Sequence, residues 1–136
     1  MLCRVLMNVT NLSGAQPADV LDIDRLEMLV GLQEEGSDLL PQLVGLFKTE
    51  TREWLVEANH ALDAGEPAEL ARIGHNIKGT SGTLGATSLQ RLAHQLEQGA
   101  AGADAGSLRA LVGAITREFD HAVVLLDQFL ELKSPR

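Results

Sequence analysis

The feature that most restricts this chain is an apolar period of about 3.6 residues, running with short breaks from Asp22 to Leu132. A strand needs alternation at every second residue, and no long stretch supplies it. Asp22 or Asp24 can cap a first helix whose stripe is Ile23, Leu26, Leu29, Val30 and Leu32, with a stop at Gly36. Asp38 is placed to cap a longer helix with Pro41 in its first turn, where the missing N–H costs nothing. Its stripe is Leu40, Leu43, Phe47, Thr51, Trp54, Leu55, Ala58 and Leu62, and Gly65 ends it. Pro67 opens a third helix carrying Leu70, Ile73, Ile77, Ser81 and Leu84, closed by Gly85. Thr87 or Ser88 caps a fourth, with Leu89, Leu92 and Leu96 inward. After a small-residue loop from Gly99 to Gly106, Asp104 or Ser107 opens the last helix, with Leu108, Leu111, Ile115, Phe119, Ala122, Leu126 and Phe129 inward.

Short loops between amphipathic helices place neighbours antiparallel. The expected fold is all-α: an up-down antiparallel four-helix bundle over residues 21–133, with a short additional N-terminal helix. Residues 1–20, with Ser13, Gly14, Gln16 and Pro17 in a turn-like cluster, read as a flexible lead-in or a linker remnant. An aromatic content of 3%, without tyrosine, suits Leu- and Ala-rich helices better than a β-sandwich. The 136 residues make one domain, and a chain of this size can hold a core without staples.

The charge balance narrows the function. Nineteen acids against eleven bases give −8, with no basic run, so nucleic-acid binding has no electrostatic footprint. A lone Cys3 allows neither an internal disulfide nor a cysteine-rich metal site and suits a reducing cytoplasm. No apolar run approaches the roughly 20 residues of a membrane span. A phosphate-binding loop is also missing, because Gly79-Thr80-Ser81-Gly82 falls inside a helix whose N–H groups are already used. Autophosphorylation from ATP is therefore not expected.

The informative segment is His75-Asn76-Ile77-Lys78-Gly79-Thr80-Ser81-Gly82. On a helical wheel His75 points about 160° away from the stripe of Leu70, Ile73, Ile77 and Leu84. Gly79 and Gly82 share that outward face, Ala71 lies near it, and Lys78 flanks the imidazole at i+3. Glycine inside a helix costs about 0.5–1 kcal/mol relative to alanine. Such a cost at exposed positions argues for clearance, so that a partner's surface can approach His75. A neutral imidazole can attack a phosphoryl group and hold it as a phosphoramidate, while Lys78 offsets charge on its oxygens.

On the pattern His75, Lys78, Gly79 and Gly85, followed by Ala86, Leu89, Leu92, Leu96 and Glu97, the chain resembles the histidine-containing phosphotransfer (HPt) domain of phosphorelays. Leu26, Leu29, Gly36, Leu40, Leu43, Phe47, Leu55, Ala61-Leu62 and Gly65 match the family's leader, so the likeness covers residues 22–132. The resemblance implies that His75 is the phosphoacceptor with Nε2 outward, that Lys78 steadies the phosphoryl oxygens, and that Gly79 keeps the docking face open. It also implies that Gly82, Ala71 and Arg72 belong to the face on which response-regulator receiver domains dock. The receiver supplies Mg²⁺, so no cofactor or metal is expected on this chain, which is expected to be a cytoplasmic monomer. A free-standing protein and the C-terminal part of a hybrid sensor kinase both fit. Glu97 aligns with a position whose polar side chain bonds the imidazole in some relatives; its role here stays open.

Two other readings compete. Glu57–His60 and Glu118–His121 are two Glu-x-x-His pairs, half of a di-iron bundle signature. On the wheel both histidines point well away from their stripes, and the other helices offer no inward glutamate, so these residues and His94 read as solvated surface. An α-helical adaptor or dimerisation module without phosphochemistry explains the bundle but leaves the grouping of His75, Lys78 and Gly79 to chance.

Overall fold

The computed structural model describes residues 20–32 and 38–133, and the described residues form an all-helical bundle without a strand. Five helices follow in order: α1 (Ile23–Leu32), α2 (Leu39–Ala64), α3 (Pro67–Thr83), α4 (Thr87–Gly99) and α5 (Ala105–Lys133). The expected lead-in lies outside the described residues apart from Val20, and so does the stop at Gly36. Val20, placed in that lead-in by the sequence, is fully buried with Leu21.

Local chemistry sets the helix ends. The Asp22 carboxylate accepts from the Arg25 N–H at 3.1 Å, which identifies the α1 cap. Asp104 does the same for α5, accepting from the Ser107 N–H at 2.7 Å. Gly65 closes α2 in the left-handed conformation, at φ 67°. Two expected caps differ. Asp38 precedes α2, but its carboxylate accepts from the Gln42 side-chain amide rather than from a helix N–H. Ala86 occupies the N-cap of α4, and Thr87 is already the first helical residue.

The principal helix pairings are α2 with α3, α3 with α4, α4 with α5, and α5 back to α2, which closes a ring. Its core includes Phe47, Leu55, Leu70, Ile73, Ile77, Leu96, Ile115, Phe119, Leu126 and Phe129. Phe47 and Phe119 form the α2–α5 seam, with ring centroids 5.3 Å apart and planes at 58°. Such a tilted pair is worth about 0.5–1.5 kcal/mol beyond its burial. The predicted stripes hold with shifts. On α2, Val44 is buried while Leu43 and Trp54 are only partly so, and Leu92 on α4 is also partly buried. On α1 only Leu26 is buried, and Leu32 is 70% exposed.

α1 is fastened to the corner between α3 and α4. The Asp22 N–H donates to the Gly85 carbonyl at 2.6 Å, and the Arg25 Nε–H donates to the Thr83 carbonyl at 3.1 Å. The Arg25 donor satisfies the Thr83 carbonyl, left over at the end of α3, while the Gly85 carbonyl beyond it also accepts from the Thr87 N–H at 2.9 Å. Gly85 turns the corner at φ 71°, a conformation that favours glycine.

Candidate functional site

Helix α3 begins with Pro67 at its first position and turns Leu70, Ile73, Gly74, Ile77 and Ser81 into the core. That apolar face fixes the rotation of the helix and leaves the His75 side chain 67% exposed. Helix α4 is held by Leu89, Ala93 and Leu96, which places Glu97 at the edge facing α3. The two helices come very close. A Cβ on Gly74 would lie 2.7 Å from the Glu97 nitrogen and 2.8 Å from the Ala93 carbonyl oxygen.

Across this contact one carboxylate serves two groups. Glu97 Oε2 lies 2.5 Å from His75 Nδ1, and Glu97 Oε1 accepts from Lys78 Nζ at 2.5 Å. His94 Nδ1 stands 3.5 Å from Oε1 on the same helix as Glu97. The hydrogen bonds from Lys78 and then His75 hold the Glu97 carboxyl down at about 2, against an opposing push from partial desolvation. Glu97 is thus ionised at neutral pH and can only accept. A neutral His75 must then carry its proton on Nδ1, which leaves the Nε2 lone pair unprotonated. The contact that the sequence left open is therefore made: Glu97 meets the imidazole at Nδ1, away from Nε2.

The surroundings are shallow. On one side His75 shares an open depression of about 270 Å³ with Trp54, Asn76, Gly79, Thr80 and Thr83. On the other, Lys78, Thr87, Gln90, Arg91 and His94 line a second of about 430 Å³. Gly79 sits where a Cβ would meet nothing within 4 Å.

Three other expected site residues lie on the same stretch of α3. Gly82 is partly buried, and a Cβ there would come within 2.7 Å of the Gln90 side-chain amide, the movable end of a flexible side chain. Ala71 is partly buried and packs against the core. Arg72 is ion-paired with Glu69 at 2.8 Å and Glu57 at 3.2 Å, so its charge is already engaged within the chain. The same contact draws Glu57 to Arg72, and among the described residues no three His, Cys, Asp or Glu side chains are grouped to hold a metal. Sequence reasoning missed Gly74 and the part of Trp54 that lines the depression beside His75. The available signal for Gly74 was a glycine inside a helix on the apolar face, facing another helix with a small residue, Ala93.

The family model of the Hpt domain matches residues 42–131. No curated protein matches the chain. Among solved structures, histidine-containing phosphotransfer protein B from Pseudomonas aeruginosa PAO1 is 29% identical, with a TM-score of 0.75 over 84% of this chain and 96% of that one. A rice protein assigned as a histidine-containing phosphotransfer protein is 18% identical, with a TM-score of 0.77 over 97% of this chain and 95% of that one; it supports the fold alone. A family model that spans most of the chain and includes the His75–Lys78–Gly79 segment establishes that the chain belongs to the Hpt domain family, the phosphocarriers of two-component phosphorelays.

Proposed function

We propose that this chain relays phosphoryl groups between response-regulator receiver domains through His75. The observation that carries the reading is the exposed imidazole whose Nδ1 is engaged by an ionised carboxylate, leaving Nε2 as the only nucleophilic nitrogen. In the forward step the Nε2 lone pair attacks the phosphorus of an aspartyl phosphate. A P–N bond forms, the P–O bond to the aspartate breaks, and the aspartate leaves as its carboxylate. The Nδ1 proton stays in place, and Glu97 balances the positive character that the ring gains. Lys78 can turn from Glu97 towards the phosphoryl oxygens, and the reverse step delivers the group to a second receiver.

The helix ring supports an up-down antiparallel four-helix bundle as the scaffold, since short connections join α2 to α3, α3 to α4 and α4 to α5. In this reading the receiver brings Mg²⁺ and most of the catalytic groups, and the chain works as a cytoplasmic monomer with no cofactor of its own. Among the described residues no helix is long and apolar enough to cross a membrane. The test is incubation with a phosphorylated cognate receiver and Mg²⁺. Label should appear on His75 as an acid-labile, base-stable adduct, and His75→Gln should abolish it while leaving the helical circular dichroism intact. Label that survives His75→Gln refutes the assignment.

A further inference from the structure

We propose that Gly74 is a positioning residue for the phosphoacceptor: its missing side chain sets the α3–α4 separation at which one Glu97 carboxylate can hold both His75 and Lys78. The inference rests on the reading of His75 as phosphoacceptor, but its geometry stands apart from it.

Gly74 is buried, and both nearest contacts of an added Cβ are backbone atoms, the Glu97 nitrogen at 2.7 Å and the Ala93 oxygen at 2.8 Å. The Glu97 Cα follows at 3.2 Å. Backbone atoms of a packed helix cannot rotate aside as a side-chain tip can. Any side chain at position 74 therefore forces α4 outward, by roughly 0.7–1 Å if contacts are to return to about 3.5 Å. The displaced element is the backbone of Glu97 itself. Both of its carboxylate contacts stand at 2.5 Å, so the same displacement carries them beyond about 2.9 Å, the upper end for charge-assisted hydrogen bonds. Glu97 must also reach two targets at once, one oxygen for each. A carboxylate moved outward keeps both contacts only if the His75 ring and the Lys78 stem follow it together.

Glycine elsewhere in these helices does not act in this way. Gly45, Gly79 and Gly99 have nothing within 4 Å of an added Cβ. At Gly82 the neighbour is the far end of the flexible Gln90 side chain. Gly74 alone among the helical glycines described meets neighbouring backbone, and that backbone belongs to the residue that orients the nucleophile.

The experiment reads the His75 tautomer by ¹⁵N NMR, together with transfer from a phosphorylated receiver. In the wild type the neutral ring should be protonated at Nδ1. In Gly74→Ala it should revert towards the Nε2–H form that an unconstrained neutral imidazole favours. Transfer should slow by about 10- to 100-fold, the scale of a 1 Å misplacement at a reacting group. Gly45→Ala should change neither. In a Glu97→Ala background, adding Gly74→Ala should alter transfer by less than about two-fold, because the residue through which Gly74 acts is already gone. Ala93→Val thickens the same crossing from α4 and should shift the tautomer in the same direction, so it decides the matter if Gly74→Ala is too unstable to measure. An unchanged tautomer in whichever of these variants folds overturns the proposal. So does a Gly74→Ala penalty that persists undiminished without Glu97. Wild-type protein that transfers through a residue other than His75 would sink the phosphoacceptor reading instead, while the tautomer still decides this one.

Discussion

Gly79→Gln should move stability and function in opposite directions. Gly79 lies in the interior of α3 on an exposed face, and a Cβ there meets nothing within 4 Å. The replacement therefore creates no clash. It exchanges the poorest ordinary helix former for a good one, a gain of roughly 0.5 kcal/mol. For a domain of this size that raises Tm by about 1–3 °C. The same side chain projects into the depression of about 270 Å³ that Gly79 shares with His75 and Trp54. In-line transfer needs phosphorus within about 3–3.5 Å of Nε2, and a side chain standing in that approach should slow transfer at least about 100-fold. Thermal unfolding by circular dichroism gives the first quantity, and a time course of transfer from a phosphorylated receiver gives the second. A variant that transfers at the wild-type rate refutes the clearance argument. One that melts well below the wild type shows that the position is packed rather than open.

Phe119→Ala should cost about 3–5 kcal/mol in urea unfolding, because the residue is 2% exposed and its ring packs tilted against Phe47. Lys78→Ala should slow transfer by about 10- to 100-fold without ending it, since Lys78 offsets charge but forms no bond to phosphorus; complete loss in a rate assay would give it a larger part. Glu97 is held down at about 2, against an ordinary value of 4.5. Its contribution to stability is fully present above pH 4.5 and is lost as the pH falls towards 2. Urea midpoints followed down from neutral pH should therefore fall less steeply below pH 4.5 in Glu97→Gln than in the wild type, and identical slopes would contradict the carboxylate's two attachments.

The helices were legible because the apolar period repeats many times in each. His75 was legible as outward because Leu70, Ile73, Ile77 and Leu84 fix the rotation of α3 on both sides of it. α1 was less so, since an apolar stripe records what a helix can bury, not how much is covered. α1 is fastened to one corner, and Leu26 alone goes fully under while Leu32 stays exposed. On α2 the buried arc is set by two partners, α3 and α5, and falls on Val44 more than on the larger Leu43. The link from Glu97 to His75 was harder still. It depends on how deeply two helices sink into each other, which the absence of one Cβ at Gly74 decides. No periodicity within either helix records that depth. Arg72 looked available for a partner because its ion pair with Glu57 joins α3 to α2, a contact that spacing along one helix cannot reveal.

The bond between Lys78 and Glu97 bears on what the site refuses. A dissolved phosphate ion would have to draw Lys78 from a carboxylate 2.5 Å away while lying against that same negative charge. A phosphoryl group already joined to Nε2 faces a different contest. It would be tethered beside Lys78, so its contact with the ammonium would be intramolecular and would not depend on the concentration of a dissolved ion. In the proposed relay the pair would discriminate by connectivity rather than by chemical identity: Lys78 would stay with Glu97 in a phosphate-rich solution and turn only to a phosphoryl group delivered covalently to Nε2.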